Sequence, residues 1–390
     1  MSDPLERLLR EQRVVICCGS GGVGKTTTSA TLALKAALLG RRAVVCTIDP
    51  ARRLANSLGL SELGNEVVQV DAARFAEAGV EVEGALFALM LDTKRTFDRL
   101  IERYTTDPKR REAILNNKFY QQMSNTVVGS SDYMAMEKLY ELSEEGDFDL
   151  IVLDTPPTKH ALDFLQAPER MKRAFDRSTL EIFLRPWAEA GKRSFGFIGR
   201  ALGKVVNKVD ALIGVGFVKE LAEFFQAFEG LYDGFRTRAD RVDALLRDAR
   251  TSFVVVTAPQ PLPLEEAGYF CDKLREFSMD LSAVVVNRVE QSCLGDPSDL
   301  RARIDAAGHE AELEAAVTAA GVEADPLLPA ALKALLDQER LAKGDRERIE
   351  AFAAGPARGV HLREVPRFTH DIYDLSGLLT LSGELFGARA

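Results

Sequence analysis

Val14-Val15-Ile16-Cys17-Cys18-Gly19-Ser20-Gly21-Gly22-Val23-Gly24-Lys25-Thr26 is the stretch on which the reading of this chain turns. Its first five residues form an unbroken apolar, β-branched run, the composition of a strand buried on both faces. The next eight satisfy G-x-x-x-x-G-K-[ST], and Thr26–Leu39 then carries Ala30, Ala33, Leu34, Ala37 and Leu38 at helical spacing. Strand, glycine loop and helix are the context that makes the pattern a phosphate loop. Glycines let successive N–H groups curl around phosphate oxygens, and the helix N-terminus adds a dipole that favours the anion. Lys25 would reach the β- and γ-phosphates and the Thr26 hydroxyl would ligate Mg²⁺. Gly21, Gly22, Val23, Gly24 and Thr27 complete the expected ATP-binding loop. Gly203-Lys204-Val205 lacks the upstream glycine and the hydroxyl of a second loop, so the sequence carries one such site.

Four more apolar runs lie outward from this core: Ala43–Ile48, Leu150–Leu153, Phe253–Thr257 and Ala283–Val286. None alternates with polar residues, and helix-like segments follow several of them. This predicts an α/β fold, a doubly wound and mostly parallel sheet. Roughly a hundred residues separate the second run from the third, and as many separate the third from the fourth. A compact fold does not leave such lengths structureless, so both are expected to be largely helical. The first is expected to hold helices over Ala85–Tyr104 and Ser131–Glu145. We expect one P-loop domain spanning residues 1–390, with residues 168–250 as a helical, aromatic-rich insertion. There Ile198, Leu202, Val205 and Val209 recur at helical spacing, and Phe217, Leu221, Phe224, Phe225, Phe228, Tyr232 and Phe235 form a stripe. Such a stripe either closes a small helical core or presents a surface for a hydrophobic client or membrane interface.

A formal net charge of −9 argues against a general nucleic-acid binder, which needs a basic surface. Met1–Gln12 carries Asp3, Glu6 and Glu11 without an apolar run, so it is not read as a secretory signal. Ala211–Val218 is far shorter than a bilayer-spanning helix. Of the five cysteines, Cys17, Cys18 and Cys46 sit in strand-like runs as small buried hydrophobes, while Cys271 and Cys293 show no pairing pattern. A reduced, cytoplasmic chain is the expectation. His160, His309, His361 and His370 are scattered and are not read as ligands.

Asp154 closes the run LIVLD and Asp49 closes VVCTID. Each alone reads equally as a cap or turn residue. Together, at the carboxyl ends of neighbouring parallel strands, they suit the ligand crevice of an open α/β sheet, with Asp154 beside the metal.

The ordered set GGVGKTTT (21–28), IDPA (48–51), DTPPTKHALDFL (154–165) and VVVNR (284–288) resembles the arsenical pump-driving and tail-anchored-protein-targeting ATPases, in their bacterial single-P-loop branch. HLREVPRFTHDIYDLSGL (361–378) is similar to the closing motif of that family. The resemblance implies that Asp49 positions or activates the attacking water and that residues 154–165 couple the γ-phosphate to the insertion. It implies that Asn287 hydrogen-bonds adenine, with Pro366 near the adenine face. It further implies a homodimer with facing sites whose helical insertions bind a hydrophobic protein segment or membrane-associated partner. A heterodimer with a paralogue is an alternative.

Departures from the pattern shape these expectations. Ser20 stands where the family carries a signature lysine that crosses to the partner subunit, so hydrolysis is expected to be slow unless Arg52 or Arg53 supplies the charge. Cys293 stands alone where a Cys-x-x-Cys pair would hold an intersubunit zinc, so zinc is not expected. No clustered thiols suit a metalloid, although an energising ATPase subunit of an anion or metalloid transporter remains an alternative. A small-molecule kinase or a non-hydrolysing nucleotide-binding module is another.

Overall fold

Residues 3–48, 53–60, 63–118, 120–121, 130–155, 165–174, 224, 232–292, 319 and 328–387 are described by the computed structural model. The apolar runs become the strands β1 (Val14–Cys18), β2 (Arg42–Thr47), β5 (Leu150–Asp154), β6 (Thr251–Thr257) and β7 (Leu281–Val289). They are joined by β3 (Val68–Gln69), β4 (Ala85–Met90) and β8 (His361–Pro366) in a single sheet of order β3-β4-β2-β5-β1-β6-β7-β8. Every neighbouring pair is parallel except β3 with β4.

The run of buried residues through β1, β5 and β6 follows from two-sided cover. Val14, Ile16 and Cys18 join one apolar layer, while Val15 and Cys17 join the layer on the opposite face. The adjacent cysteines therefore point to opposite sides, as the period of a strand requires. The P-loop helix Lys25–Leu38 lies in the second layer through Leu32, Ala33, Ala36 and Ala37.

Ala85–Met90 corrects the expectation of a helix over Ala85–Tyr104. Ala, Leu and Met favour helices in isolation, but here they pair in parallel register with the whole of β2, from Arg42↔Ala85 to Thr47↔Met90. Gly84 permits that approach, since a Cβ there would lie 2.2 Å from the Arg41 carbonyl oxygen. The helix begins at Thr93, after Asp92 accepts the N–H of Arg95 at 2.9 Å as its N-cap. Tertiary pairing overrides local propensity in this segment. The helix Ser130–Glu145 matches expectation to within a residue.

Within the aromatic stretch, Phe224 and Phe235 are each 1% exposed. Phe224 stacks on Tyr120 at 6.1 Å between ring centroids, and Phe235 packs on Tyr104 at 5.7 Å and Phe97 at 6.1 Å. These two aromatics close a core. Phe217, Leu221, Phe225, Phe228 and the 198–209 repeat lie outside the described residues, as do His160, His309 and Cys293. Among the described residues, no helix is long and apolar enough to cross a membrane.

Candidate nucleotide site

β1 lies between β5 and β6, where successive connections diverge to the two halves of the sheet. In open α/β sheets the crevice outside the strands' carboxyl ends at such a point receives the ligand. The P-loop leaves β1 there. Gly19 takes φ +147°, and a Cβ on it would fall 1.9 Å from the Val256 carbonyl oxygen of β6. Only glycine fits that approach. Gly24 takes φ +96°, with a hypothetical Cβ 2.3 Å from the Asn287 side-chain nitrogen, before the helix opens with Thr28 N–H bonded to the Gly24 carbonyl.

Lys25 is 6% exposed and its Nζ donates to the Ser20 carbonyl at 2.7 Å, folding the ammonium back over its own loop. Thr26 Oγ1 donates to Asp154 Oδ2 at 2.6 Å. The same carboxylate oxygen accepts from Thr47 Oγ1 at 2.7 Å. β1, β2 and β5 thus bring a P-loop hydroxyl, a strand-end hydroxyl and a buried carboxylate to one point, Asp154 being 1% exposed. Thr155 Oγ1 donates to the Cys17 carbonyl at 2.8 Å and fixes the start of the following segment to β1. Thr27 is half-buried in the first helical turn, Val23 is buried, and Gly21 and Gly22 are exposed at the mouth.

The donor set is all oxygen, hard and partly anionic, which suits a magnesium ion and not a soft metal. Among the described residues there is no cluster of three or more His, Cys, Asp or Glu side chains able to hold a metal by itself. A cation here would rely on Thr26, Asp154, water and phosphate, the usual manner of magnesium in nucleotide sites.

Asn287 lies near the end of β7, where the register with β8 shifts between Val286 and Val289. Its Nδ2 donates to the Val23 carbonyl at 2.8 Å and its Oδ1 accepts the Arg288 N–H at 2.9 Å. Arg288 sits at φ +63°, a left-handed conformation uncommon for a non-glycine residue. Pro366 pairs with Val289 at the end of β8, so Asn287 and Pro366 lie toward the ends of neighbouring strands.

Asp49 and Arg52 lie outside the described residues, as do residues 156–164 of the DTPPTKHALDFL segment. Arg53 opens the helix Arg53–Ser57 and is exposed.

Two contacts were not read from the sequence. Thr47 precedes Ile48-Asp49, and its only signal was a hydroxyl closing an otherwise apolar strand. Glu266, in the helix Pro261–Glu276, accepts a hydrogen bond from Ser20 Oγ. Nothing in PLPLEEAGYF distinguishes it from a surface carboxylate.

Burial raises the Cys17 thiol to about 12, with the nearby Asp154 adding to the shift and Lys25 opposing it. Burial raises Cys18 as well, and Cys46 to about 12. The thiols around the site are therefore neutral and packed, and take no part as nucleophiles.

The family model described as "Anion-transporting ATPase" matches residues 12–303. The chain is 26% identical over 276 residues to "ATPase GET3" of Malassezia globosa, covering 70% of this chain and 72% of that protein. It is 25% identical over 295 residues to "ATPase ASNA1 homolog 1" of Paramecium tetraurelia, covering 73% and 78%. Against "ATPase ARSA2" of Chlamydomonas reinhardtii it is 24% identical over 285 residues, covering 72% and 68%.

Proposed function

Because this chain belongs to the anion-transporting ATPase family, and is accordingly an ATPase, we propose that it works as a slow, Mg-ATP-driven conformational switch. The observation that carries this reading is the convergence of Thr26, Asp154 and Thr47 within hydrogen-bonding distance beneath Lys25 and the glycine loop. The backbone N–H groups from Gly21 to Thr27 hold the phosphates. Lys25 exchanges the Ser20 carbonyl for β- and γ-phosphate oxygens, an exchange its long side chain can make without moving the helix. Thr26 and Asp154 would hold Mg²⁺, which would supply positive charge to neutralise the charge developing in transfer. Thr47 orients the Asp154 carboxylate. Asp49 positions the attacking water, and Asn287 with Pro366 receives the adenine.

Residues 168–250 act as an insertion within one P-loop domain, and the segment from Asp154 to Leu165 links it to the γ-phosphate position. Two copies associate with their nucleotide sites facing. The insertion then carries the nucleotide state to a hydrophobic protein segment or a membrane-associated partner. Two supports stand behind this coupling: the motif resemblance, and the tie between Thr155 and the Cys17 carbonyl at the start of that segment. Ser20 in place of the signature lysine removes a cation from the transition state, the origin of the slow rate.

The test is Mg-dependent ATP hydrolysis per subunit as a function of protein concentration, with Asp49→Asn as control. Specific activity should rise with concentration and vanish in the variant. Tight ATP binding without turnover at any concentration would refute a self-sufficient ATPase dimer.

A further inference from the structure

Ser20 occupies the second position of the phosphate loop and makes two contacts that share one residue. Its carbonyl accepts Lys25 Nζ at 2.7 Å, and its hydroxyl donates to the carboxylate of Glu266, 246 positions along the chain. Ser20 is 8% exposed, and its bond to Glu266 is partly buried.

Glu266 stands on a rigid base. The helix Pro261–Glu276 follows β6 directly and buries Leu264, Ala267, Phe270, Cys271 and Leu274. β6 also supplies Val256, whose carbonyl fits against Gly19. One unit, β6 with its following helix, therefore grips the leading arm of the phosphate loop twice, at Gly19 through backbone contact and at Ser20 through Glu266. The trailing arm is held separately, by Asn287 on the Val23 carbonyl.

We propose that Glu266 is a positioning residue of the nucleotide site, acting through Ser20 to hold the leading arm of the loop in its phosphate-ready curve. This rests on the reading that the loop binds ATP. In that reaction Lys25 leaves the Ser20 carbonyl for the phosphates, and the Glu266 contact becomes the side-chain tether that remains on Ser20. A hydrogen bond to a carboxylate is stronger than one between neutral groups. A loop fixed before the ligand arrives loses less conformational freedom on binding. The side chain at position 20 thus serves its own subunit as a strut.

The test is a double-mutant cycle read as the Kd for ATP in the presence of Mg²⁺, measured by calorimetry, with thermal melts verifying that each variant is folded. Ser20→Ala and Glu266→Ala should each weaken binding about tenfold, the loss expected for one charge-assisted hydrogen bond. The double variant should be no weaker than either single, because both remove the same contact. Glu266→Gln, whose neutral amide oxygen still accepts, should narrow the loss to about threefold, since a neutral hydrogen bond is roughly half as strong as a charge-assisted one. Singles that bind as the parent does, losses that multiply in the double variant, or a Glu266→Gln as weak as Glu266→Ala would each overturn the assignment. A parent protein that binds no ATP would instead overturn the reading of the loop, and this assignment with it.

Discussion

Thr47→Val removes one hydroxyl and leaves nearly the same shape. Thr47 is 1% exposed and gives its hydroxyl to Asp154 Oδ2 at 2.7 Å, while Thr26 gives a second at 2.6 Å. Losing a hydrogen bond to a charged acceptor costs about 1.5–3 kcal/mol. If that bond aims the carboxylate at the metal, the same energy appears as weaker Mg²⁺ binding, on the order of 10- to 100-fold, the range for partners that orient a metal ligand. Asp154 keeps its contact to Thr26, so activity should recover at high Mg²⁺. The assay is ATP hydrolysis at saturating ATP across a Mg²⁺ titration, with Thr47→Ser as the variant that restores the hydroxyl. Thr47→Val should shift the half-saturating Mg²⁺ upward by at least about tenfold, and Thr47→Ser should return it to within about threefold of the parent. An unmoved midpoint in Thr47→Val, alongside lost activity in Asp154→Ala, would refute the reasoning.

Other consequences are as specific. Gly19→Ala places a methyl 1.9 Å from a backbone oxygen at φ +147° and should abolish nucleotide binding or folding. Gly22→Ala at φ +78° meets nothing within 4 Å, and thermal melts should show only backbone strain of about 1–2 kcal/mol. Arg238→Ala strands the carboxylate of Glu137, which is 2% exposed and ion-paired to Arg238, and should cost about 3–5 kcal/mol in denaturant unfolding. Burial raises Cys17 and Cys46 to about 12 and Cys271 to about 11, from an ordinary 9.0. A raised folded-state value means the folded chain keeps its thiol protons. That stability is whole below pH 9 and is lost as pH climbs toward 12, with Tyr120 and Tyr133, also raised, acting in the same sense. Unfolding midpoints should fall across that window. At neutral pH no more than one of the five cysteines should react quickly with a thiol reagent, since Cys17, Cys18, Cys46 and Cys271 are buried; four or five fast thiols would contradict the core described.

How far the sequence could be read follows from what each segment has to satisfy locally. β1, β5 and β6 are buried on both faces, and that constraint writes itself into composition as VVICC, LIVLD and FVVVT. The phosphate loop is similarly legible because backbone geometry there admits few residues. β4 was not legible as a strand, since ALFALM is neutral between helix and strand until β2 lies beside it. β8 was hidden for a related reason: HLREVP, with its charged residues and a proline, suits the sheet edge that only the final topology defines. Thr26 and Asp154 were readable because each ends a recognisable element. Thr47 and Glu266 act through contacts made across 107 and 246 positions, and separations of that kind leave no local trace. Phe224 and Phe235 belong to an aromatic stripe whose pattern suits a helical core or an exposed surface equally, and at these two positions it supplies core packing against Tyr120 and Phe97.

Equilibrium binding of ATP, with and without Mg²⁺, to the parent protein and to Lys25→Ala, Thr26→Ala and Asp154→Ala locates the nucleotide. Binding of ATP to the parent protein should be tight. Lys25→Ala should weaken it in both conditions, and Thr26→Ala and Asp154→Ala should remove the gain that Mg²⁺ confers. Unchanged, Mg²⁺-enhanced binding in all three variants would place the nucleotide elsewhere and contradict the account.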